Sequence, residues 1–451
     1  MSAPSKSGQL GAYGNSISRF SRGPLGLRRG AAGRWCLIPV MGLAAVNMAS
    51  AQEALRSSLA GDAAAEARNL QLQSQAYTVK TGDFRLLVTP SLALDCNDNI
   101  TLARNNTVSD FILRPLVALN ASYPVGTYNL LNLSVAFGYD KYVNHDEFSQ
   151  WRLDSGSALS FDVYVKDFWI NFHDRFQYSQ DPAAESAVAA TGSYGTFQNT
   201  AGLSGTWDLK DVTLSLGYDH LNSLSTSSQF NYTDRASEML VARAGLQVHP
   251  KLTIGVEGTA EFTTYDQAML NKNQVYSAGI YGDWRPGSYF SVQPRFGYTI
   301  FNCSQTSSSV QGGNLTSWYA DLTLRHQATE ALTYSLSAGH EIRPGIQSGA
   351  IEDSYIRPNV NWNVIRNLTL QTSLFYEHGA EGGGQQASLL ETSYDWYGGG
   401  LSLAYSPMKE VRLSLNYRLT LRSSNVASRE YAQNMVGLQI TYTPHFTNTP
   451  Q

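Results

Sequence analysis

The most regular feature of the chain is an alternation of apolar and polar residues that starts at Phe84 and continues almost to the C-terminus. In segment 411–423, Leu413 and Leu415 share one face while Ser414 and Asn416 share the other. Residues two apart lie on the same face of a β-strand. The same period returns in 131–139, 212–219, 252–262, 368–377 and 436–443. Segments of about ten residues match the length that a tilted strand needs to cross a bilayer.

The connections between these segments alternate in length. Eight are tight and polar or contain Pro, namely 124–127, 165–167, 208–211, 249–251, 285–287, 329–331, 363–367 and 407–410. Nine are longer and polar, near 96–108, 144–150, 181–195, 225–234, 266–272, 304–314, 343–352, 378–390 and 424–430. These seventeen connections join eighteen strands, and short turns on one rim with long loops on the other are typical of an outer-membrane barrel.

A soluble β-sandwich or propeller would alternate in the same way. Its strands average about five or six residues, and its polar face would be rich in Lys and Glu, whereas the polar faces here hold mostly Ser, Thr, Gly, Gln and Arg. The pattern therefore favours an all-β, transmembrane, antiparallel up-and-down barrel of about 18 strands. Because unpaired backbone groups are costly in hydrocarbon, the first strand, 84–95, is expected to pair with the last, 431–444.

Tryptophan positions follow the two predicted rims. Indole prefers the headgroup zone, where an apolar ring and an N–H donor are both satisfied. Trp169, Trp207, Trp284 and Trp362 lie beside tight turns, and Trp151, Trp318 and Trp396 lie beside long loops. We expect these seven residues to form two membrane girdles.

Composition excludes several other classes of protein. Charged residues make up only 15% of the 451 residues and aromatic residues 11%, a mixture that favours strands. After residue 51 no stretch approaches the roughly 20 apolar residues of a membrane helix. Residues 1–51 carry six cations and no acid, which leaves 26 cations against 36 acids in the rest of the chain. This acidic balance argues against nucleic acid as a partner.

The N-terminal region has the features of an export signal. Arg28, Arg29 and Arg34 precede an apolar run, 35–46, that ends near the small-residue sequence 49–51. We expect a signal peptide with an extended basic leader over 1–51, a partly helical or disordered periplasmic tail over 52–83, and the barrel over 84–451. Both termini would then be periplasmic.

At 16 to 18 strands a barrel is too wide for side chains to fill, so water enters unless a loop or tail plugs it. The residues expected to line the pore are Arg175, Arg243, Glu257, Arg295, Asp321, Arg357 and Arg418. Over all charged positions on the predicted inner faces, ten Arg stand against nine Asp and Glu, and this near balance predicts weak ion selectivity. The alternative is that these groups only pair across neighbouring strands and stiffen the wall. The loop 181–195 is a candidate constriction if it folds inward.

Catalytic and metal-binding signals are weak. The eight His residues are scattered, no HExxH or GxSxG motif occurs, and the three Cys residues form no CxxC pair. Cys96 and Cys303 fall near the same rim but on opposite walls, so a disulfide would require loops that fold inward. We expect no enzyme activity, no cofactor and no metal.

The first two strands resemble a known family. Residues 84–94, then Asp98-Asn99-Ile100, then Ser109-Asp110 followed by Pro115, are similar to the opening of the β-barrel porin family found beside bacterial exopolysaccharide biosynthesis genes. The resemblance covers nearly the whole mature chain in layout, and it implies passage of saccharide or polymer across the outer membrane. The chain departs from the usual ending of outer-membrane barrels, because Phe446 is followed by residues 447–451.

These observations lead to two functional hypotheses. The first is a pore for small hydrophilic solutes or saccharides, with a link to exopolysaccharide export. The second is a non-conducting barrel, plugged by loops or by residues 52–83, that acts as a surface or scaffold protein. In either case the expected partners are outer-membrane lipid, lipopolysaccharide and the barrel-insertion machinery, with saccharide or exopolysaccharide as a further candidate, in the outer membrane of a bacterium.

Overall fold

A computed structural model describes residues 77–125, 129–165, 167–304, 313–346, 349–382 and 392–444. The predicted leader, 1–51, and most of the predicted tail lie outside the described residues. Within the described part of the chain, no helix is long and apolar enough to cross a membrane. The helices there are four short 3₁₀ turns: Asp146–Phe148, Pro182–Ala184, Ser228–Thr233 and Ala427–Arg429.

Eighteen antiparallel strands form one closed barrel, as the alternation predicted. They are β1 Phe84–Asn97, β2 Asp110–Val125, β3 Asn129–Tyr142, β4 Gln150–Leu153 continued by Ala158–Val165, β5 Phe168–Ser179, β6 Thr196–Asp208, β7 Val212–Ser225, β8 Arg235–His249, β9 Leu252–Tyr265, β10 Asn273–Gly287, β11 Phe290–Cys303, β12 Gly313–Gln327, β13 Leu332–Pro344, β14 Ala350–Ile365, β15 Leu368–Gly382, β16 Thr392–Tyr405, β17 Val411–Ser424 and β18 Tyr431–Tyr442.

The first and last strands close the barrel, so that prediction is confirmed. Seven residues of β1 pair with β18, from Ser91 opposite Thr441 to Asn97 opposite Met435. Below Ser91 the edge of β1 receives a short additional strand, Val79–Thr81, which pairs with Phe84–Leu86. The turn between them contains Gly82 at a φ of 59°, a backbone conformation that glycine adopts without steric cost. The sheet therefore begins inside the segment that the sequence assigned to a tail.

The distribution of side chains is inverted relative to a soluble protein. On β7, Leu216 is 64% exposed while Asp219 is 1% exposed. The outer face of the barrel carries a band of exposed Leu, Val, Ile, Phe and Tyr, and charged and amide side chains are buried on the inner face. An apolar exterior and a polar interior are stable only if lipid surrounds the wall and water enters the lumen.

One predicted turn is displaced. The sequence placed a tight turn at 285–287, but β10 continues to Gly287 and the turn consists of Ser288 and Tyr289. The register of β10 with β11 shifts between Trp284 and Gly287. This bulge accommodates Pro286, which has no N–H to donate to a regular ladder.

A charge on the lipid-facing band should be costly. Leu438 on β18 is 61% exposed and lies between Leu94 and Leu415 of the neighbouring strands. We expect Leu438→Arg to make folding into a bilayer less favourable by about 2–4 kcal/mol if the residue is at the bilayer midplane. Urea titrations of folding into lipid vesicles would measure the difference. Gln439→Arg, one residue away on the inner face, is the matched control and should cost far less.

Candidate functional site

The long loop 180–195 leaves the wall between β5 and β6 and crosses the lumen. Its carboxylate Asp181 accepts a hydrogen bond from Arg418 Nη1 on β17 at 2.9 Å. Farther along, the Ser186 carbonyl accepts from Arg422 Nε at 2.8 Å, and the Ala187 carbonyl accepts from Arg429 Nη2 at 2.6 Å. Each of these three arginines lies more than 230 positions away in sequence. The loop that the sequence named as a candidate constriction therefore does fold inward.

A buried polar network fixes the middle of this loop to β13, β14 and β15. Arg343 lies within 3.3 Å of Glu185, 2.9 Å of Asp353 and 3.4 Å of Glu377. Ser186 donates from Oγ to Glu377 at 2.5 Å and is 3.0 Å from the Tyr394 hydroxyl. One guanidinium thus faces three carboxylates, an arrangement that compensates buried charge only while every partner is present.

Apolar contacts support the same position. Ala183 packs in a buried cluster with Leu102, Phe375, Tyr394, Trp396 and Tyr431. Ala187 and Val188 pack in another with Phe230, Ile346 and Ile351. These clusters bring together residues from four different long loops and the adjacent strand ends. In the described residues, the long-loop end of the barrel is therefore covered by loops that pack on one another rather than by independent loops.

The loop divides the lumen into two cavities that lie side by side. The larger cavity, of about 490 Å³, is lined by residues of β1–β6 and β17–β18. The smaller cavity, of about 160 Å³, is lined by residues of β6–β16. Among the described residues, Gln198 of β6 is the one strand residue that contributes to both linings. Three loop residues also border both cavities: Ala184, Glu185 and Tyr194.

The larger cavity carries many hydrogen-bonding side chains. Its charged groups are paired: Arg114 lies 2.9 Å from Asp95, and Arg152 lies 3.1 Å from Asp140. Between them the wall presents small hydroxyl and amide side chains, namely Ser91, Ser134, Gln177, Ser179, Thr196, Gln198, Asn416 and Gln439. Such groups exchange hydrogen bonds with water or with solute hydroxyls at little cost.

The smaller cavity combines charged and apolar groups. Leu221, Met239, Val275, Ile342 and Ile346 contribute to its lining. Charged residues of the same lining include Arg235, Glu261, Arg295, Asp321, Arg343, Arg357 and Glu377. The two cavities therefore offer different environments: hydroxyl and amide groups are frequent in the larger one, whereas aliphatic and charged side chains meet in the smaller one.

All seven charged residues predicted to line the pore lie on the inner face. Arg295, Asp321 and Arg357 line the smaller cavity, and Arg418 lines the larger. The other three, Arg175, Arg243 and Glu257, belong to the lining of neither cavity. Whether ions pass these side chains stays a prediction.

Several of the seven predicted pore-lining residues pair with groups on other strands. Glu257 accepts hydrogen bonds from Arg243 and Arg295, each at 2.8 Å at its shortest, and from the Tyr319 hydroxyl at 2.8 Å. The Arg243 guanidinium also lies 4.8 Å from the centroid of the Tyr281 ring. Such contacts stabilise neighbouring strands, as the alternative hypothesis of a stiffened wall requires.

Sequence reasoning missed the groups that hold the loop. Glu185, Ser186, Arg343 and Asp353 were treated as loop residues or not singled out. A usable signal was present at Asp181-Pro182, because Asp181 caps the 3₁₀ turn by accepting a hydrogen bond from the Ala183 amide at 3.1 Å. That signal predicts an ordered turn, but it contains nothing about the opposite wall.

The predicted tryptophan girdles need correction. Trp207, Trp284 and Trp362 on the short-turn rim, and Trp151 and Trp318 on the long-loop rim, are exposed on the outer face. The girdle prediction is wrong for Trp169 and Trp396, whose side chains lie on the inner face. Trp169 donates from Nε1 to Asp162 at 3.1 Å, and Trp396, which is 3% exposed, donates to the Tyr431 hydroxyl at 3.2 Å.

The two cysteines of the described residues are free thiols. Cys96 is exposed on the outer face of β1, and Cys303 is buried at the end of β11.

The Asp181 anchor should respond to acid. Burial raises the pKa of Asp181, but the Arg418 and Arg114 guanidiniums outweigh it and hold the pKa below its ordinary value. A lowered pKa means that the anchor contributes fully above the ordinary pKa of about 4 and is lost as the pH falls through the lower value. We expect the loop to loosen only in that acidic range, with larger fluctuations of single-channel current.

Recording current between pH 7 and pH 2 measures this response, since that range extends below the ordinary pKa of the carboxyl group. Asp181→Asn is the control, because it should fluctuate already at neutral pH and should lack the change that wild type shows near the lowered pKa of Asp181. A wild-type current that is equally steady across the range would contradict a role for this carboxylate.

The geometry defines a class of protein. A closed barrel with an apolar exterior, a polar lumen and an inward loop is an outer-membrane, porin-like barrel. The chain belongs to the family described as "Putative beta-barrel porin 2", whose family model matches residues 74–443.

The fold of the chain is also similar to that of solved outer-membrane proteins. No curated protein matches the chain. Among solved structures it is similar to OpdL of Pseudomonas aeruginosa, at 14% identity and a TM-score of 0.44, over 80% of this chain and 99% of that one. It is also similar to OccAB3 of Acinetobacter baumannii, at 10% identity and a TM-score of 0.44, over 81% and 100% of the two chains. A third is OccK2 (OpdF) of Pseudomonas aeruginosa in complex with glucuronate, at 11% identity and a TM-score of 0.45, over 79% and 98%.

Proposed function

We propose that the protein is a porin that allows passive or substrate-preferring diffusion of small hydrophilic solutes, saccharides among them. The observation that carries this proposal is the larger cavity, which runs beside the inward loop and is lined by hydroxyl, amide and paired charged groups. A solute that passes along such a wall can exchange its hydration shell for side-chain hydrogen bonds. Because the charges are paired, we expect weak ion selectivity.

The lengths of the loops support a proposed orientation in the membrane. Short turns belong to the periplasmic rim of outer-membrane barrels and long loops to the exterior. Both ends of the described chain, Tyr77 and Pro444, adjoin the short-turn ends of β1 and β18, which supports periplasmic termini. In this orientation the exposed apolar band contacts outer-membrane lipid, with lipopolysaccharide in the outer leaflet, after assembly by the barrel-insertion machinery.

A link to exopolysaccharide export is a narrower proposal. It is supported by the resemblance of the first two strands to porins encoded beside exopolysaccharide genes and by a wall rich in groups that bind sugar hydroxyls. Liposome-swelling rates with a graded series of neutral oligosaccharides would test it. If the rates fall with increasing sugar size as steeply as those of a nonspecific porin, the proposed saccharide preference is contradicted.

A modification experiment tests the pore and its path. In a background with Cys96→Ser and Cys303→Ala, a thiol is introduced at Ser134 in the larger cavity or at Ser277 in the smaller one. We expect a bulky methanethiosulfonate reagent to lower single-channel conductance strongly in Ser134→Cys, because this side chain lines the wider path, and weakly in Ser277→Cys. Leu216→Cys, on the outer face, is the control. Equal block at both inner positions would contradict the larger cavity as the main path.

The inward cover favours a second candidate, a plugged barrel that does not conduct. Planar-bilayer recordings on folded protein separate the two candidates. Stable open steps support the pore. Silence in protein that retains the mobility of a folded barrel on unheated gels would support the plug.

A further inference from the structure

In the described residues, the backbone ladder between β12 and β13 stops before the ends of both strands. Their register begins at Gln327 opposite Thr333 and ends at Ala320 opposite His340. From that pair toward the long-loop rim, β12 extends as far as Gly313 and stays paired with β11. β13 also continues, to Pro344, and stays paired with β14. Two neighbouring strands therefore separate while each keeps its other neighbour, and we call the gap between them the seam.

The seam forms because the end of β13, up to Pro344, and the beginning of β14, from Ala350, bend into the lumen. By the alternation of the strands, Ile342 shares a face with Tyr334 on β13, and Ala350 shares a face with Ile356 on β14. Tyr334 and Ile356 are exposed on the outside of the barrel. At this tip, however, Ala350 belongs to a buried cluster that also contains Val275 of the inner face of β10, and Ile342 packs against this cluster. The tip therefore lies inside the wall that its own strands form farther down.

Polar contacts also place the beginning of β14 inside the wall. Ser317 lies on the inner face of β12, and its Oγ donates to Glu352 of β14 at 2.6 Å. Glu352 nevertheless belongs to the face of β14 that points outward farther along the strand. The same hydroxyl lies 3.4 Å from His340 Nε2. At the lower end of the seam, Trp318 stacks on His340 with ring centroids 4.0 Å apart. Side chains, rather than backbone pairing, thus hold the two edges together.

The smaller cavity reaches the seam from inside. Its lining includes Tyr319 and Ala320 of β12 together with residues 340–344 of β13. Apolar residues of the same lining, among them Val275, Ile342 and Ile346, lie next to this edge. Backbone groups that leave a ladder at membrane depth are tolerated where they line a cavity.

The apolar exterior of the barrel reaches the seam from outside. On β11, Tyr298 is 56% exposed and pairs with Trp318, and Ile300 is 43% exposed and pairs with Thr316. These outward side chains belong to the lipid-facing band, and they extend to the height of the separated segment. Because Trp318 lies at the lower end of the seam and indole prefers the headgroup zone, the seam joins the smaller, amphipathic cavity to the headgroup level of the outer leaflet.

We propose that this seam is a lateral portal through which an amphiphile with one apolar chain and a polar head moves between the outer leaflet and the smaller cavity. The apolar chain would pack on Val275 and Ile342, while the head would meet the charged groups at Arg343 and Arg357. This route goes beyond axial diffusion of hydrophilic solutes, because it uses the other cavity and opens to lipid rather than to water.

Cross-linking across the seam tests the portal. In the background Cys96→Ser with Cys303→Ala, Ser317→Cys and Glu352→Cys are joined by a short bifunctional methanethiosulfonate that a reductant cleaves. The matched control joins Thr323→Cys and Ser337→Cys, which face each other on the inner face where β12 and β13 are paired. Dansyl-undecanoate, placed in the bilayer of proteoliposomes, reports entry into the cavity by its change in fluorescence.

We expect the seam cross-link to reduce the fluorescence change of the probe to the background of vesicles that contain no protein, and the reductant to restore it. The control cross-link should change nothing, and single-channel conductance should be the same before and after either cross-link. Entry that continues unchanged in the seam-linked protein, or that slows equally in the control, would overturn the portal. Loss of conductance alone concerns the axial pore and leaves the probe measurement interpretable, so failures of the two proposals are distinguishable.

Discussion

Removal of residues 184–192, with the ends joined by a short Gly-Ser linker, should raise single-channel conductance several-fold. The reason is geometric, since a barrel of 16 to 18 strands encloses an aqueous channel unless something fills it. Here the filling element is one loop that separates a cavity of about 490 Å³ from another of about 160 Å³. Without the loop the two cavities merge. The electrical resistance of the channel should then fall, and its preference for particular solutes should weaken.

A second variant separates the volume of the loop from its attachment. Replacing residues 184–192 by an equal number of Gly and Ser residues keeps the length but removes the contacts of Glu185, Ser186 and Val188. This chain should produce a noisy current of intermediate mean, because an undocked loop still occupies the lumen part of the time. A conductance equal to wild type in both variants would show that the loop does not limit flow.

Arg343→Met should release the loop even though the loop itself is unchanged. The substitution leaves Glu185, Asp353 and Glu377 facing one another without their shared cation. Removing one partner of a buried ionic network costs about 3–5 kcal/mol. That cost falls on the docked state of the loop, so we expect frequent transitions to a high-conductance level and cleavage of the loop by added protease.

Two controls define the Arg343 effect. Arg343→Lys keeps a charge but cannot reproduce the forked contacts with several carboxylates, so it should show an intermediate frequency of transitions. Arg285→Met removes the same charge from a half-exposed pair with Asp283 on the opposite rim, where such pairs contribute at most about 1 kcal/mol. Steady current in Arg343→Met, or equal noise in Arg285→Met, would contradict the role of the network.

The strands were predictable because lipid and water impose a strict period of two. Once Leu413 and Leu415 are assigned to one face and Ser414 and Asn416 to the other, the inner and outer faces of the remaining strands follow. The same rule would have prevented the error at Trp169 and Trp396. Trp169 shares its face with the buried Asn171 and Trp396 shares its face with the buried Tyr394, whereas the girdle prediction considered only their distance from a turn.

The closure of the barrel was predictable for an energetic reason. An open edge in hydrocarbon would leave backbone groups unpaired, so the first and last strands had to meet. The exception at the seam was not predictable from this rule. The separation of β12 from β13 depends on where the tip of one hairpin packs, and the alternation of Ile342 and Ala350 is the same whether that tip stands in the wall or bends inside it.

By itself the sequence determined the number of strands, their order, the face of nearly every side chain and the closure of the sheet, because each of these follows from local periodicity and from the cost of unpaired backbone. Only the tertiary structure decided where the inward loop goes, which groups anchor it and how it divides the lumen. Asp181 and Arg418 are separated by 237 positions, and contact between such distant residues depends on the diameter and packing of the finished barrel, which no local pattern encodes.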